Sequence, residues 1–371
     1  ESQPQRHCVI LMPADIGMNL IYPLKLSLFS SELRSFGRSM VTNAAARRIQ
    51  SAGVLKVKRI LYIYMFVFGH RSPDTDSTGS ALIWAWYLTE FKKIPATAKV
   101  LGVPNNEAKF VLNYWGMSCP DILGELGADT PVVIVDTNNP DELPQNINEC
   151  QIREIIDHHK WVGGLVTKDI VNITVRPLGC TATLMIELMG SKAADEMPDE
   201  LKGLALSCIL SDTLAFKSPT TTDQDRTVAG RLAAELKVDI EIYANQMFHA
   251  KSDISGLSDR SLIAMDSKDY VINDTKYRIS LLETQTPEAV LSRREGLKSA
   301  MSDISASSDV DQILLFVIDI PNEEATLIIP GGHIKALVEL AFGVKTTADT
   351  VALPGIMSRK KQIVPALHRS L

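Results

Sequence analysis

Three short apolar runs in the first half of the chain each lead directly into a segment that carries Asp or His. They lie at residues 60–68, 131–135 and 154–156. Their Ile, Val, Phe and Tyr content is typical of strands that are buried on both faces, as in parallel sheets. Helix-like stretches at 80–88 and 106–114 separate them. This alternation predicts an α/β fold with a doubly wound parallel sheet.

The apolar pattern changes near residue 237, and a second set of segments follows. They are strand-like at 277–282, 312–319 and 325–329 and helix-like at 285–302. These segments predict a second, smaller α/β domain of about 130 residues, an ordinary domain size. We therefore expect domains at 60–232 and 239–371, joined by a linker at 233–238.

The first sixty residues differ in composition from the rest. They hold nine Lys or Arg against three Asp or Glu, with many Ser among the arginines. This composition is typical of an organelle transit peptide. We expect residues 1–59 to be an N-terminal extension: a transit peptide, a disordered tail, or sequence upstream of the true start. The protein would be mitochondrial or plastidial in the first case and cytoplasmic otherwise.

The remainder of the chain is acidic, with 29 Lys or Arg against 41 Asp or Glu. An acidic body argues against nucleic-acid binding, which needs a basic face. No apolar run reaches the roughly 18 residues of a membrane helix, so no membrane partner is expected. The five cysteines form no CxxC pair, which argues against a structural zinc site and for reduced thiols.

Carboxylates and imidazoles follow the predicted strands and one long apolar helix, where ligands of doubly wound sheets bind. The six candidates for metal ligation are His70, Asp74, Asp76, Asp136, His158 and Asp212. His with Asp suits Mn²⁺, Co²⁺ or Zn²⁺ rather than Ca²⁺. Six ligands are enough for two cations that share a bridging carboxylate. Taken singly, Asp76 could instead cap the next helix, and Asp74 could form an Asx turn.

Three consecutive cations, Arg359, Lys360 and Lys361, lie between two apolar stretches near the end of the chain. Such a run is usually a solvated surface, but flanking apolar residues can fix it in place. A fixed Arg binds phosphate through two parallel N–H bonds, and Lys adds a point charge. Metals combined with these cations indicate hydrolysis of a small, highly charged phosphate compound.

From about residue 60 to 367 the chain resembles the family II inorganic pyrophosphatases of the Asp-His-His phosphoesterase superfamily. The resemblance is carried by GHRSPDTDS (69–77), VIVD (133–136), IIDHH (155–159), GCTAT (179–183), LSDTLAFKSPTTTDQD (210–225) and SRKKQ (358–362). The last segment is the most specific, because relatives that hydrolyse other phosphate compounds generally lack it.

The resemblance implies hydrolysis of pyrophosphate to two orthophosphates in a cleft between a metal-binding catalytic domain and a substrate-clamping second domain. Two Mn²⁺ or Co²⁺ ions per site would supply a metal-bridging hydroxide as the nucleophile, and Mg²⁺ would enter with the substrate. His70 and Asp74 would hold one metal, Asp76, His158 and Asp212 the other, and Asp136 would bridge. The family also implies a homodimer through the N-terminal domain.

The resemblance also implies roles for residues outside the metal set. His159, Arg359 and Lys360 would contact pyrophosphate and act in catalysis together with Asp76 and Asp136. The substrate-binding Lys of the family aligns with His249 here, and Lys251 lies two residues on. Either residue could bind phosphate in its place. Thr137 stands where many members have His.

Two alternatives are open at this point. The chain could be an exopolyphosphatase or a short-oligonucleotide phosphodiesterase of the same superfamily. It could also be a non-catalytic, metal-binding relative, although all six ligand positions are filled.

Overall fold

A parallel five-stranded sheet forms the first half of the described chain, which is residues 64–370 of the computed structural model. Its strands are β1 (Met65–Phe68), β2 (Ala96–Ala98), β3 (Pro131–Val135), β4 (Gln151–Asp157) and β5 (Asn172–Val175). Their spatial order is β2-β1-β3-β4-β5, and every pairing is parallel. The predicted doubly wound sheet is confirmed. The extension predicted at 1–59 lies outside the described residues.

Alternating side chains bury both faces of this sheet, as the continuous apolar runs predict. Val67 and Val133 pack into the large core on one face, whereas Phe68 and Ile134 pack into a smaller core on the other. Four helices of the first half contribute to the large core. These are α1 (Thr75–Trp86), α2 (Asn106–Tyr114), α3 (Thr181–Glu196) and α4 (Asp199–Asp212).

Helix α1 begins five residues earlier than its apolar pattern indicates, because a side chain caps it. Asp74 is the N-cap, and its Oδ1 accepts the Ser77 N–H at 2.9 Å. Such caps satisfy a backbone donor that would otherwise lack a partner. The interpretation of Asp76 as the cap is therefore wrong; Asp76 lies within the first turn.

Two helices connect the halves of the chain: α5 (Asp223–Leu236) and α6 (Ile240–Lys251). Lys237 has a left-handed φ of 57° and ends α5, and the Asp239 side chain caps α6. Residues 233–236 of the predicted linker thus belong to α5, and the connection itself is residues 237–239.

A mixed five-stranded sheet forms the second half. Its strands are β6 (Ser267–Ile272), β7 (Thr275–Thr284), β8 (Gln312–Asp319), β9 (Glu324–Ile328) and β10 (Thr350–Pro354). The spatial order is β10-β9-β8-β7-β6, with β7 and β8 parallel and the other pairs antiparallel. The prediction of a second α/β unit is confirmed.

Five helices accompany this sheet in the described part of the chain. They are α7 (Asp259–Ala264), α8 (Pro287–Leu291), α9 (Arg294–Ser307), α10 (Gly332–Phe342) and α11 (Val364–Ser370). A π-helical turn, Arg359–Ile363, leads directly into α11. Across residues 64–370, none of the helices has the length and apolar character needed to cross a bilayer.

Candidate metal centre

Three neighbouring parallel strands end at the same edge of the first sheet, and a predicted ligand follows each. His70 comes two residues after β1, Asp136 directly follows β3, and His158 directly follows β4. Asp136 has a φ of 58°, a left-handed conformation that Asp and Asn adopt more readily than most residues. The strand order therefore places these three residues together.

Two helices bring the remaining carboxylates to this edge. Asp74 and Asp76 lie at the start of α1, and Asp212 is the last residue of α4. The helices approach each other so closely that a Cβ on Gly79 would lie 2.3 Å from Cys208 Sγ. Glycine at this position permits the approach that joins Asp76 to Asp212.

The six predicted ligands fall into two overlapping groups, in each of which the ligand atoms lie within 4.8 Å of one another, and a third group of the same kind joins His159 to Asp136 and His158. The first donor group is His70, Asp74 and Asp136; the second donor group is Asp76, Asp136, His158 and Asp212. Asp136 belongs to both. Its Oδ2 lies 3.3 Å from His70 Nε2, and its Oδ1 lies 3.6 Å from His158 Nε2. A carboxylate placed in this way can bridge two cations.

Burial and like charge govern the electrostatics of the two donor groups. Burial raises the pKa of Asp136 well above its ordinary value, and the nearby Asp76 raises it further. Burial also raises the pKa of Asp212, with further contributions from Asp76 and Asp136. Burial alone would lower the pKa of His70, but Asp74 and Asp136 outweigh it and raise that pKa. Mutually repelling buried carboxylates beside imidazoles are a donor set that suits divalent cations.

Hydrogen bonds at Nδ1 orient both adjacent histidines. His158 Nδ1 lies 3.1 Å from the Leu178 carbonyl oxygen, which can only accept, so Nδ1 carries the proton and Nε2 is free to bind a metal. His159 Nδ1 lies 2.8 Å from Asp157 Oδ1, which also accepts the His158 and His159 backbone N–H groups. Asp157 therefore positions the pair.

The N-terminus of α3 fixes the carboxylate of Asp76. Its Oδ2 accepts the Thr181 N–H at 2.7 Å, and its Oδ1 accepts the Ala182 N–H at 3.2 Å and the Ser80 hydroxyl at 2.9 Å. The Thr181 hydroxyl donates to Asp136 Oδ1 at 2.9 Å. These contacts explain the GCTAT segment: it supplies the donors that hold two of the candidate ligands.

Two cations from the second half of the chain lie at the rim of this centre. Lys360 Nζ donates to the His158 carbonyl oxygen at 2.5 Å. The Arg359 guanidinium donates to Asp266 Oδ1 at 2.6 Å and to the backbone oxygens of Asp266 and Ile279 at 2.9 and 3.2 Å. Arg359 is thereby held in one orientation, which favours planar recognition of an anion.

His249 and Lys251 occupy different surroundings near the end of α6. His249 is exposed and lines a surface cavity with Asn106 on its wall. Lys251 is mostly buried, with Nζ 2.6 Å from Glu283 Oε2 and 3.3 Å from Glu107 Oε2. Neither residue belongs to a donor group. Burial raises the pKa of the Asp74 carboxyl, but His70 outweighs burial and lowers that pKa, and Lys251 contributes to the lowering.

Two family models match the chain: the DHH family N-terminal domain over residues 64–211 and the DHHA2 domain over residues 245–370. A protein of Deinococcus radiodurans named probable manganese-dependent inorganic pyrophosphatase is 38% identical over 309 residues, or 82% of this chain and 97% of the relative. The chain belongs to the family II inorganic pyrophosphatases. The resemblance of the sequence segments to this family is confirmed.

Two further comparisons agree with this membership. A Staphylococcus saprophyticus protein of the same name as the Deinococcus relative is 33% identical over 306 residues, which cover 82% of this chain and 98% of that protein. A crystal structure from Methanococcus jannaschii, named for family II inorganic pyrophosphatase, has a TM-score of 0.72 at 34% identity. The matched region covers 82% of this chain and 99% of the Methanococcus chain.

Several charged residues near the metal centre of this family II pyrophosphatase are not indicated by any motif in the sequence. Asp266, Lys268 and Glu142 belong to none of the sequence motifs, yet Asp266 holds Arg359, and Lys268 pairs with Glu142 at 3.3 Å. Asp157 is assigned no role by the sequence analysis, although it holds His159. The sequence does contain a signal for this role of Asp157, because the residue ends a strand and is followed directly by two histidines.

Proposed function

We propose that this chain hydrolyses inorganic pyrophosphate to two orthophosphates. The observation that carries the proposal is the pair of donor groups sharing Asp136, with the Arg359 and Lys360 cations at their rim. Family membership supports the same activity. The combination fits a small anion with a high charge, since metals and fixed cations both stabilise transferring phosphoryl groups.

The donor chemistry supports manganese as the resident metal, with Co²⁺ as the alternative. We propose one cation in the first donor group and one in the second, with Asp136 shared, and Mg²⁺ arriving with the substrate. Two such cations, when bound, neutralise phosphate charge and lower the pKa of a water molecule between them. Hydrogen bonds keep these ligands in place. The N-terminus of α3 donates to Asp76, and the Leu178 carbonyl oxygen accepts from His158.

The remaining proposed roles belong to charged side chains facing the metals. His159 Nε2 is free because Asp157 holds Nδ1, so the ring can donate to or accept from a phosphoryl oxygen. Arg359 and Lys360 belong to the second half of the chain and would bind the substrate from the side opposite to the donor groups. The proposed boundary between the two domains lies at residues 237–239.

Turnover with defined substrates tests the proposal. Purified protein with Mn²⁺ and Mg²⁺ is expected to release phosphate from pyrophosphate, with long-chain polyphosphate and short oligonucleotides giving much less product. Faster cleavage of polyphosphate ends would favour an exopolyphosphatase, and cleavage of oligonucleotides a phosphodiesterase. Bound metal with no turnover of any of these substrates would support a non-catalytic relative.

Substituting Arg359 by Ala is expected to raise KM and lower kcat for pyrophosphate. A charge-assisted hydrogen bond to phosphate is worth about 1.5–3 kcal/mol, so kcat/KM should fall at least about tenfold. Steady-state kinetics measure the change. Lys361→Ala is the matched control, since Lys361 is the exposed neighbour in the same turn. Equal kinetics in both variants would argue against a substrate contact by Arg359.

We also propose that two copies associate through β5. This strand is one of the two edges of the parallel sheet. The exposed apolar side chains around it are Trp161, Val162, Val166, Ile170 and Ile173. Exposed apolar residues at a sheet edge are a typical site of strand pairing between chains. Sedimentation should give a dimer that Ile170→Asp weakens and Leu340→Asp does not. A monomeric wild-type protein at micromolar concentration would contradict this proposal.

A further inference from the structure

A fully buried carboxylate, Glu107, lies outside the donor groups. It belongs to the first turn of α2 and is 0% exposed. The helix dipole stabilises an acid in this position by about 0.3–1 kcal/mol, which is much less than the cost of burying an unpaired charge. The partners of Glu107 must therefore offset this cost.

One oxygen of this carboxylate joins the ends of two other helices. Glu107 Oε2 accepts the Thr75 hydroxyl at 3.1 Å and the Ser211 hydroxyl at 2.7 Å. Thr75 is the first residue of α1, and Ser211 is the last but one of α4. Each is the direct sequence neighbour of a candidate ligand, Asp74 or Asp212. A single oxygen atom therefore holds the neighbours of one ligand from each donor group.

Lys251, the last residue of α6, supplies the balancing charge. Its Nζ lies 3.3 Å from Glu107 Oε2 and 2.6 Å from Glu283 Oε2. Burial alone would lower the pKa of Lys251, but Glu107 and Glu283 outweigh it and raise that pKa, so the ammonium keeps its charge. Buried ion pairs add little to stability in general, whereas they can fix one arrangement of the groups that they touch. Here the groups in contact with Glu107 are the two hydroxyls beside the candidate ligands.

We propose that Glu107 is a positioning residue of the metal centre, which sets the spacing between the first and the second donor group through the hydroxyls of Thr75 and Ser211. Glu107 itself contacts neither metal nor substrate. The inference rests on the metal pair of the proposed function. The opposing interpretation is a purely structural role, in which Glu107 only joins three helices.

Removal of one hydroxyl at a time tests the proposal. Ser211→Ala and Thr75→Val should each weaken Mn²⁺ binding to the chelated protein by about tenfold, the lower end of the effect of residues that orient metal ligands. Calorimetric titration with Mn²⁺ measures the affinity. Thr75→Ser keeps the hydroxyl and should recover most of the affinity that Thr75→Val loses.

Substitutions of Glu107 separate its hydrogen bonds from its charge. Glu107→Gln keeps an oxygen for both hydroxyls, and its amide nitrogen can take the place of Oε1, which has no hydrogen-bond partner within residues 64–370. This variant should keep most of the Mn²⁺ affinity, whereas Glu107→Ala should lose about tenfold or more. Equal losses in the two variants would contradict positioning through the hydroxyls.

Ser207→Ala is the matched control for a structural effect. Ser207 lies one turn before Ser211 in α4 and is equally buried, but its hydroxyl contacts Tyr243 at 2.6 Å. This variant should lower the Tm of the chelated protein and leave Mn²⁺ affinity unchanged. If Ser211→Ala and Thr75→Val do the same, Glu107 has a structural role only and the inference is overturned.

Mn²⁺ binding and turnover of the wild-type protein are measured first, so that the two proposals fail separately. Mn²⁺ binding without pyrophosphate hydrolysis would overturn the proposed function alone, because the affinities of the variants can still be compared. Normal hydrolysis with equal Mn²⁺ affinity in wild type, Ser211→Ala and Thr75→Val would overturn the inference alone. A wild-type protein that binds no Mn²⁺ would overturn both.

Discussion

Substitution of Asp136 by Asn is expected to lower kcat for pyrophosphate by at least about a thousandfold, which corresponds to about 4 kcal/mol of transition-state stabilisation. Asp136 is the member common to both donor groups, so the loss of its charge affects both proposed cations at once. An amide can offer one neutral oxygen but cannot bridge two cations as a carboxylate does. The fold should be retained.

The choice of Asn follows from the local backbone. At a φ of 58°, Asn is tolerated almost as well as Asp, whereas Ala would add backbone strain to the lost charge. The Asn side-chain oxygen can still accept the Thr181 hydroxyl. Without metal, the variant should melt no lower than wild type, because one of several repelling carboxylates has been removed.

Kinetics and thermal melting together test this expectation. Asp141→Asn, an exposed change in the following loop, is the control and should keep wild-type kcat and a wild-type response to Mn²⁺. Asp136→Asn should lose most of the Mn²⁺-induced rise in Tm along with its activity. Turnover at the wild-type rate would show that Asp136 does not bridge catalytic metals.

Removal of metal is the second change with a large expected effect. Chelation should abolish pyrophosphate hydrolysis, and Mn²⁺ should restore it. A cation that binds only the folded state stabilises it by about 2.7 kcal/mol at a concentration of 100 Kd, so Tm should rise by several degrees on addition of Mn²⁺. Differential scanning calorimetry of the chelated and Mn²⁺-loaded protein measures the rise.

The Mn²⁺-induced rise in Tm should shrink as the pH falls. Burial raises the pKa of Asp76, Asp136 and Asp212, so these groups take up protons before ordinary carboxyls do, and protons compete with cations. In the metal-free protein, a folded-state pKa above the unfolded value contributes stability at low pH that is lost as the pH rises through the folded-state pKa. The difference in Tm between the metal-free and the Mn²⁺-loaded protein therefore increases toward neutral pH. An equal rise at acidic and neutral pH would contradict this account.

Periodicity predicted the buried elements well. The predicted bounds of β3, β8 and α2 are those of the structure, because these elements are buried over their length or on one regular face. The edge strands β2, β5, β6 and β10 were not predicted. Half-exposed edge strands carry mixed polar and apolar residues, so their pattern resembles that of loops.

The candidate ligands were recognisable because strand ends and helix ends are local features. His70, Asp136 and His158 follow strands whose adjacency the parallel order predicts. Contacts between the two halves had no such local signal. The pairing of Lys268 with Glu142 joins residues 126 positions apart across a cleft, and their relative placement depends on the whole tertiary structure.

The left-handed backbone at Asp136 limits how the metal preference of this enzyme could be redesigned. Replacement by a longer carboxylate such as Glu would force that side chain into a conformation that costs about 1–2 kcal/mol for most residues. A selective variant for Zn²⁺ or Co²⁺ is therefore better sought at Asp212, at the end of α4, where the backbone is an ordinary helix.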